Sequence, residues 1–231
     1  MSKQSIPLRT AELLDLSHTR ARPWLEHTAY PWEILSEIPT VITEIGAALE
    51  PTRYDHPAEG IWIAKTATVA DTARISPPAI IGESTEVRQG AFLRGGTLVG
   101  DGCVVGNSTE LKNCILFDGV QVPHYNYVGD SVLGYMAHLG AGAITSNVKS
   151  DKTPVTVKPA EGCEGAFSPI PTGRRKLGAM LGDFVEVGCG SVLNPGTVIG
   201  CHTRIYPLTS VRGAVPSHAI FKGGGEIVEQ S

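Results

Sequence analysis

Three side chains between positions 88 and 130 carry the chemistry. His124 lies in "VPHYNYVGD", beside a proline and between two stretches of regular pattern. A neutral imidazole is the side chain best matched to taking a proton near neutral pH. Arg94 and Lys112 stand 18 residues apart, in positions that the surrounding pattern otherwise fills with small residues. If the chain returns on itself every 18 residues, the two cations stack at the spacing of neighbouring strands, about 4.8 Å. Like charges that close repel unless an anion lies beside them. The expectation is therefore a proton acceptor next to an anion site.

The pattern that supplies this spacing is a repeat of six. From Ile63 the chain reads IAKTAT, VADTAR, ISPPAI, IGESTE, VRQGAF, LRGGTL, VGDGCV, VGNSTE, LKNCIL and FDGVQV, each hexad opening on an apolar residue. It resumes at Val187 as VGCGSV, LNPGTV, IGCHTR, IYPLTS and VRGAVP. A helix of 3.6 residues per turn drifts out of phase with a strict period of six, whereas short strands joined by tight turns keep it. The large aliphatic then fills the interior, and glycine allows tight turns and close stacking of coils. The second slot breaks its own rule at Arg88, Arg94, Lys112, Asp118 and His124. If three hexads close one coil, Arg94 and Lys112 share one column, and Arg88, Gly106 and His124 share another.

Around this core the sequence divides simply. Residues 1–60 read as short helices punctuated by Pro23, Pro31 and Pro39. The repeat occupies 61–216, interrupted by an inserted loop over about 149–176 that carries "GRRK" and exceeds an ordinary connection. Residues 217–231, containing "GGGEIVEQS", read as a loose tail. A net charge of −4 gives no basic field for nucleic acid or an anionic membrane. The chain has no run of about 18 apolar residues and no signal-peptide pattern, so a cytoplasmic protein is expected. The five cysteines form no C-x-x-C pair and suit reduced thiols.

The hexads resemble those of the hexapeptide-repeat family. That resemblance implies an all-β solenoid, a left-handed parallel β-helix with three hexads per coil, here with a short helical N-terminal segment and one long inserted loop. Within it, "HYNYVGDSVLGYMAHLGAGAITSN" (His124–Asn147) is similar to the acetyltransferase half of the bifunctional N-acetylglucosamine-1-phosphate uridyltransferase/glucosamine-1-phosphate N-acetyltransferase family. It follows the form H-x-x-Y-x-G-D and then G-A-G-x-I-T-x-N. The resemblance implies that His124 is the general base on a sugar amine. It further implies that Arg94, Lys112 and Tyr127 bind the sugar phosphate and that Asn147 belongs to the acceptor site. The family has asparagine where this chain has His138, and tyrosine where it has Val148. His138 is accordingly a substrate-binding candidate and the acceptor sugar is left open.

The same resemblance implies acetyl-CoA as co-substrate, bound in a groove between adjacent β-helices near Cys189, Tyr206 and Pro207. That makes a homotrimer with inter-subunit active sites the expected assembly. Arg174, Arg175 and Lys176 are candidates for the CoA phosphates, or for closing over the sugar. "PWEILSEIP" is similar to the segment joining the two halves in related sugar nucleotidyltransferases, but no glycine-rich nucleotide-binding stretch occurs near the N-terminus. Uridylyl transfer is thus not expected in this chain. No metal is expected either, because hexapeptide-fold carbonic anhydrases need two histidines five residues apart and position 129 is Gly. The competing reading is a non-catalytic β-helix that binds a sugar nucleotide or scaffolds a partner nucleotidyltransferase.

Overall fold

The computed structural model describes residues 6–230; the expectations that touch Met1–Ser5 and Ser231 lie outside them. From Ile61 the chain winds into a parallel β-helix with three faces. The first face stacks Ile61–Ala64, Ala79–Ile81, Thr97–Val99, the C-terminal half of Glu110–Leu116, that of Tyr127–Leu133, Ala179–Leu181, Thr197–Ile199 and Ala214–Val215. The second runs from Thr68–Val69 through Gln121–His124 and His138–Leu139 to Arg204–Ile205 and Ala219–Gly223. The third carries Arg74–Ile75, Phe92–Leu93, the N-terminal halves of the two seven-residue strands, Ile144–Thr145, Val192–Leu193 and Ser210–Val211. One aliphatic per hexad points inward, as Val87, Leu93, Val105, Leu111, Val122 and Val128 do, all buried. Side chains alternate across each strand, so their neighbours point out.

The coil length is not uniform, and this corrects the expected columns. Early coils repeat every 18 residues, as Ile61 pairs with Ala79 and Ala79 with Thr97. At the corner between third and first faces, Arg94-Gly95-Gly96 is followed one coil later by only Lys112-Asn113, and Cys114 pairs with Thr97. Glu110 then pairs with Tyr127 and Cys114 with Ser131, a spacing of 17. The corner is closed by Asn113 and Asp130 in the left-handed region, φ 50° and 48°, a conformation that Asn and Asp tolerate better than most residues. Arg94 and Lys112 keep their shared column, since Leu93 pairs with Leu111. His124 does not join the column of Arg88 and Gly106; it pairs with Asn107, and Pro123 takes the place beside Gly106. Gly106 is required there, because an added Cβ would collide with the Pro123 carbonyl.

The first face is apolar on both sides. Ile80, Leu98, Ile115, Val132, Met180 and Val198, which alternation turns outward, are all buried. The N-terminal segment packs on the rungs of Ile80, Leu98, Ile115 and Val132. Its helix Ile38–Ala48 buries Ile38, Val41, Ile42 and Ile45, an i, i+3, i+4, i+7 stripe. Gly46 packs against the Trp62 indole so closely that a Cβ would not fit. Polar ties fix the cover: Arg20 pairs with Asp101 at 2.9 Å. The Asp15 N–H and the Tyr135 N–H both donate to Asp183, each at 2.7 Å.

Two segments differ from expectation. The helical segment ends at Ala48, and Tyr54–Ala58 already pairs antiparallel with Ile61–Ala64. The tail expected to be loose is a hairpin, Ala219–Gly223 against Glu226–Glu229, with glycines forming its turn. The inserted loop is largely anchored. Thr156–Val157 pairs with Ile170–Pro171, Ala160 donates to the Ala214 carbonyl at 3.0 Å, and Val155, Val157 and Ala160 are buried. These aliphatics extend the first face past its last rung.

Candidate active site

Two corners of the third face collect the residues of interest. At the corner where the second face turns into the third, one residue from each coil forms a column: Asn107, His124, Ala141, Cys189 and Pro207. Main-chain bonds link them. The N–H groups of Tyr125, Gly142, Gly190 and Leu208 donate to the carbonyls of Asn107, His124, Ala141 and Cys189 at 2.8–2.9 Å. Cys189 thus lies two rungs from His124, roughly 10 Å along the stack. Both are exposed, as are Tyr206, Tyr125 at 65% and Leu208 at 85%. The His124 turn is fixed by buried Asn126, whose Oδ1 accepts from the His124 N–H at 3.0 Å. The Asn126 amide group donates in turn to the Gly140 and Ala143 carbonyls.

At the opposite edge, where the third face turns into the first, lie Arg94 and Lys112 with a network that the hexad pattern did not reveal. Asp130 is only 4% exposed. The Lys112 ammonium donates to both its carboxylate oxygens at 3.2 Å, and Asn113 Nδ2 donates at 2.9 Å. Asn147 Nδ2 donates to Asp130 and also to the Tyr127 hydroxyl, the latter at 3.2 Å. Arg94 pairs with Glu110 at 2.6 Å. Both cations therefore meet carboxylates of the chain, and the argument that their repulsion demands an external anion does not hold. Tyr127 stands between the two edges, with Glu110 as its rung partner. Burial, with help from the Asp130 and Glu110 charges, pushes its phenol above its ordinary value, so it stays a neutral donor.

The remaining candidates are dispersed. His138 lies on the second face, paired with Gln121 on one side, and its Nδ1 meets Glu186 at 2.8 Å. Arg174 is turned away from the His124 corner: Nη2 donates to the Glu33 carbonyl at 2.8 Å and to Ser36. Lys176 bridges to Val148, next to Asn147 and so at the Lys112 edge rather than near Cys189. Arg175 is exposed beside it. Asp130, Asn113 and Glu110 escaped the sequence reading. The two left-handed positions closing shortened corners would have flagged the first pair.

Residues 75–160 match the family model described as the GMPPB C-terminal domain. A bifunctional sugar-1-phosphate nucleotidylyltransferase/acetyltransferase of Sulfurisphaera tokodaii is 37% identical over 115 residues, 50% of this chain and 27% of that protein. The bifunctional protein GlmU of Methanococcus maripaludis is 38% identical over 99 residues, 43% of this chain and 22% of that protein. The chain folds as a left-handed β-helix on a six-residue repeat. This hexapeptide-repeat chain thus spans about a quarter of the length of those two curated relatives. Among solved structures, the acetyltransferase domain of PglB from Neisseria gonorrhoeae, in complex with acetyl coenzyme A, aligns with TM-score 0.33 and 16% identity. That alignment covers 81% of this chain and 76% of that one. Among the described residues no helix is long and apolar enough to cross a membrane, and no group of three His, Cys, Asp or Glu side chains is placed to hold a metal ion.

Proposed function

We propose that the chain is an acetyl-CoA-dependent N-acetyltransferase acting on the amine of an amino-sugar phosphate, with glucosamine 1-phosphate the first acceptor to test. The observation that carries this reading is the third face, with an exposed histidine at one edge and Arg94, Lys112 and Tyr127 toward the other. From His124 to Gly129, the rung partner of Lys112, an extended chain spans at most about 16 Å at 3.3 Å per residue. Side chains reaching in from both edges leave room for one sugar ring with its phosphate. One sequence relative, whose name joins a sugar-1-phosphate nucleotidylyltransferase to an acetyltransferase, supports acetyl transfer in sugar-phosphate chemistry.

In this reading the neutral amine attacks the thioester carbonyl, forming the C–N bond. His124 accepts the ammonium proton as it develops, the C–S bond breaks, and the imidazolium returns a proton to the departing thiolate. Lys112 and Tyr127 hold the phosphate and so fix the approach of the amine. Arg94 joins them when the phosphate displaces Glu110 from it. Acetyl-CoA lies along the corner of His124, Cys189 and Pro207, where exposed Tyr206 and Leu208 offer apolar contact. Arg174 has no part in that contact; Arg175 and Lys176 act nearer the sugar phosphate. Because the N-terminal segment covers the first face, subunits of a homotrimer would meet through the second and third faces, which places the site between subunits.

The test is release of free thiol from acetyl-CoA on adding glucosamine 1-phosphate, unphosphorylated glucosamine or another hexosamine phosphate. Turnover with a phosphorylated amine, and at least tenfold less with unphosphorylated glucosamine, is the expected result. Thiol release at background with every acceptor would favour a non-catalytic β-helix. That second reading draws on the carboxylates already seated on Arg94 and Lys112.

A further inference from the structure

We propose that Asp130 is a positioning residue of the acceptor site, setting Lys112 and Asn147 for the phosphate; this rests on the substrate reading above. Asp130 is the hub of the Lys112 edge. Its carboxylate takes the Lys112 ammonium, the Asn113 amide and the Asn147 amide, while Asn147 also reaches the Tyr127 hydroxyl. Its main-chain carbonyl accepts from Gly178 N–H at 2.8 Å, and the Asn147 carbonyl accepts from Leu177 N–H at 3.0 Å. Both ends of the inserted loop are therefore pinned at this one residue. Asn113 Nδ2 also donates to the Leu35 carbonyl at 3.1 Å, which ties the hub to the N-terminal cover.

This arrangement suits positioning rather than direct contact with substrate. Asp130 is buried behind Lys112, which remains partly exposed toward the third face. A lysine has three rotatable donors on a flexible stem, and its geometry is poorly defined unless something holds it. The buried carboxylate supplies that hold while leaving one donor for an incoming anion. A carboxylate behind the cation also repels that anion, so its contribution is to geometry, and the balance shows in binding. Asp130 has φ 48°. Asn accepts that conformation at least as well, so Asp130→Asn removes the charge without straining the corner.

The experiment pairs two readouts on the full chain. The first is the rate at which formaldehyde and borane methylate Lys112, read by peptide mass spectrometry with exposed Lys65 as internal control. The second is the KM and kcat for glucosamine 1-phosphate. Losing a hydrogen bond to a charged group corresponds to roughly a tenfold to hundredfold change. In Asp130→Asn, methylation of Lys112 should therefore rise about tenfold with Lys65 unchanged, and acceptor KM should rise about 10- to 100-fold. The kcat should stay within about threefold. An unchanged labelling rate, or raised labelling with unchanged KM, overturns the proposal, as does a fall in kcat alone. If Asp130→Asn does not fold, Asn113→Gly keeps the left-handed corner and removes one orienting amide. It should move both readouts the same way by about threefold, and no movement refutes the idea. Wild-type inactivity toward glucosamine 1-phosphate would reject the substrate reading alone. Labelling rates, and their protection by inorganic phosphate, would still decide the role of Asp130.

Discussion

Replacing Lys112 by methionine keeps most of the length of the side chain and deletes its charge. In the folded chain this leaves Asp130, at 4% exposure, with only the amides of Asn113 and Asn147. Breaking a buried ion pair by removing one partner typically costs about 3–5 kcal/mol, because the remaining charge is stranded. Lys112 is partly exposed and two amides stay in place, so about 2–3 kcal/mol is the reasoned value. For a chain of this size that lowers the melting temperature by about 5–10 °C. The decisive assay is urea unfolding at fixed chain concentration of wild type, Lys112→Met, Asp130→Asn and the double variant. If the stranded charge causes the loss, the double variant recovers most of the stability that Lys112→Met loses while remaining weak toward the acceptor. A loss below about 0.5 kcal/mol for Lys112→Met would refute the reasoning. A double variant no more stable than Lys112→Met would do the same.

Other outcomes follow from the same structure. Tyr127→Phe removes the hydroxyl that accepts from Asn147 and should raise acceptor KM about tenfold. Its phenol, pushed up by burial, is neutral below its ordinary value near 10 and ionises only as pH rises beyond that. Between pH 6 and about 9.5 the rate profile of Tyr127→Phe should therefore keep the wild-type shape; an alkaline limb present in wild type and absent from Tyr127→Phe would count against this. Thiol titration at pH 8 should modify exposed Cys189 first. Burial pushes the Cys103 thiol up to about 12 and Cys114 higher still, so both should stay silent until the chain is unfolded. Peptide mapping showing early modification of either would contradict the packed interior.

Much of the solenoid is legible because its rule is local. An inward aliphatic every six residues suffices to read the three faces, and Arg94 and Lys112 share a column because no corner between them changes length. His124 is a different case. One residue is missing at Lys112-Asn113, and nothing in a count of sixes separates a shortened corner from a changed strand. The left-handed positions of Asn113 and Asp130 resolve it. The N-terminal cover was hidden for another reason. Its stripe of Ile38, Val41, Ile42 and Ile45 is plain in the sequence, but the surface receiving it consists of the outward aliphatics of the first face, which read as ordinary repeat residues. "AIFKGGGEIVE" reads as a hairpin once its glycines are taken as a turn between apolar runs, and glycine content alone suggested a tail. The partners of the cations, Glu110 and Asp130, are common residue types at unremarked slots, and only folding shows what they touch.

The central claim is that His124 takes the proton of an amine held on the third face. It is tested most directly by the steady-state rate of His124→Ala with acetyl-CoA and glucosamine 1-phosphate, beside calorimetric binding of CoA to the same variant. Loss of a general base lowers kcat by about 10²- to 10⁴-fold, and CoA affinity and melting temperature should stay at wild-type values. Near-normal turnover in that variant would contradict the account.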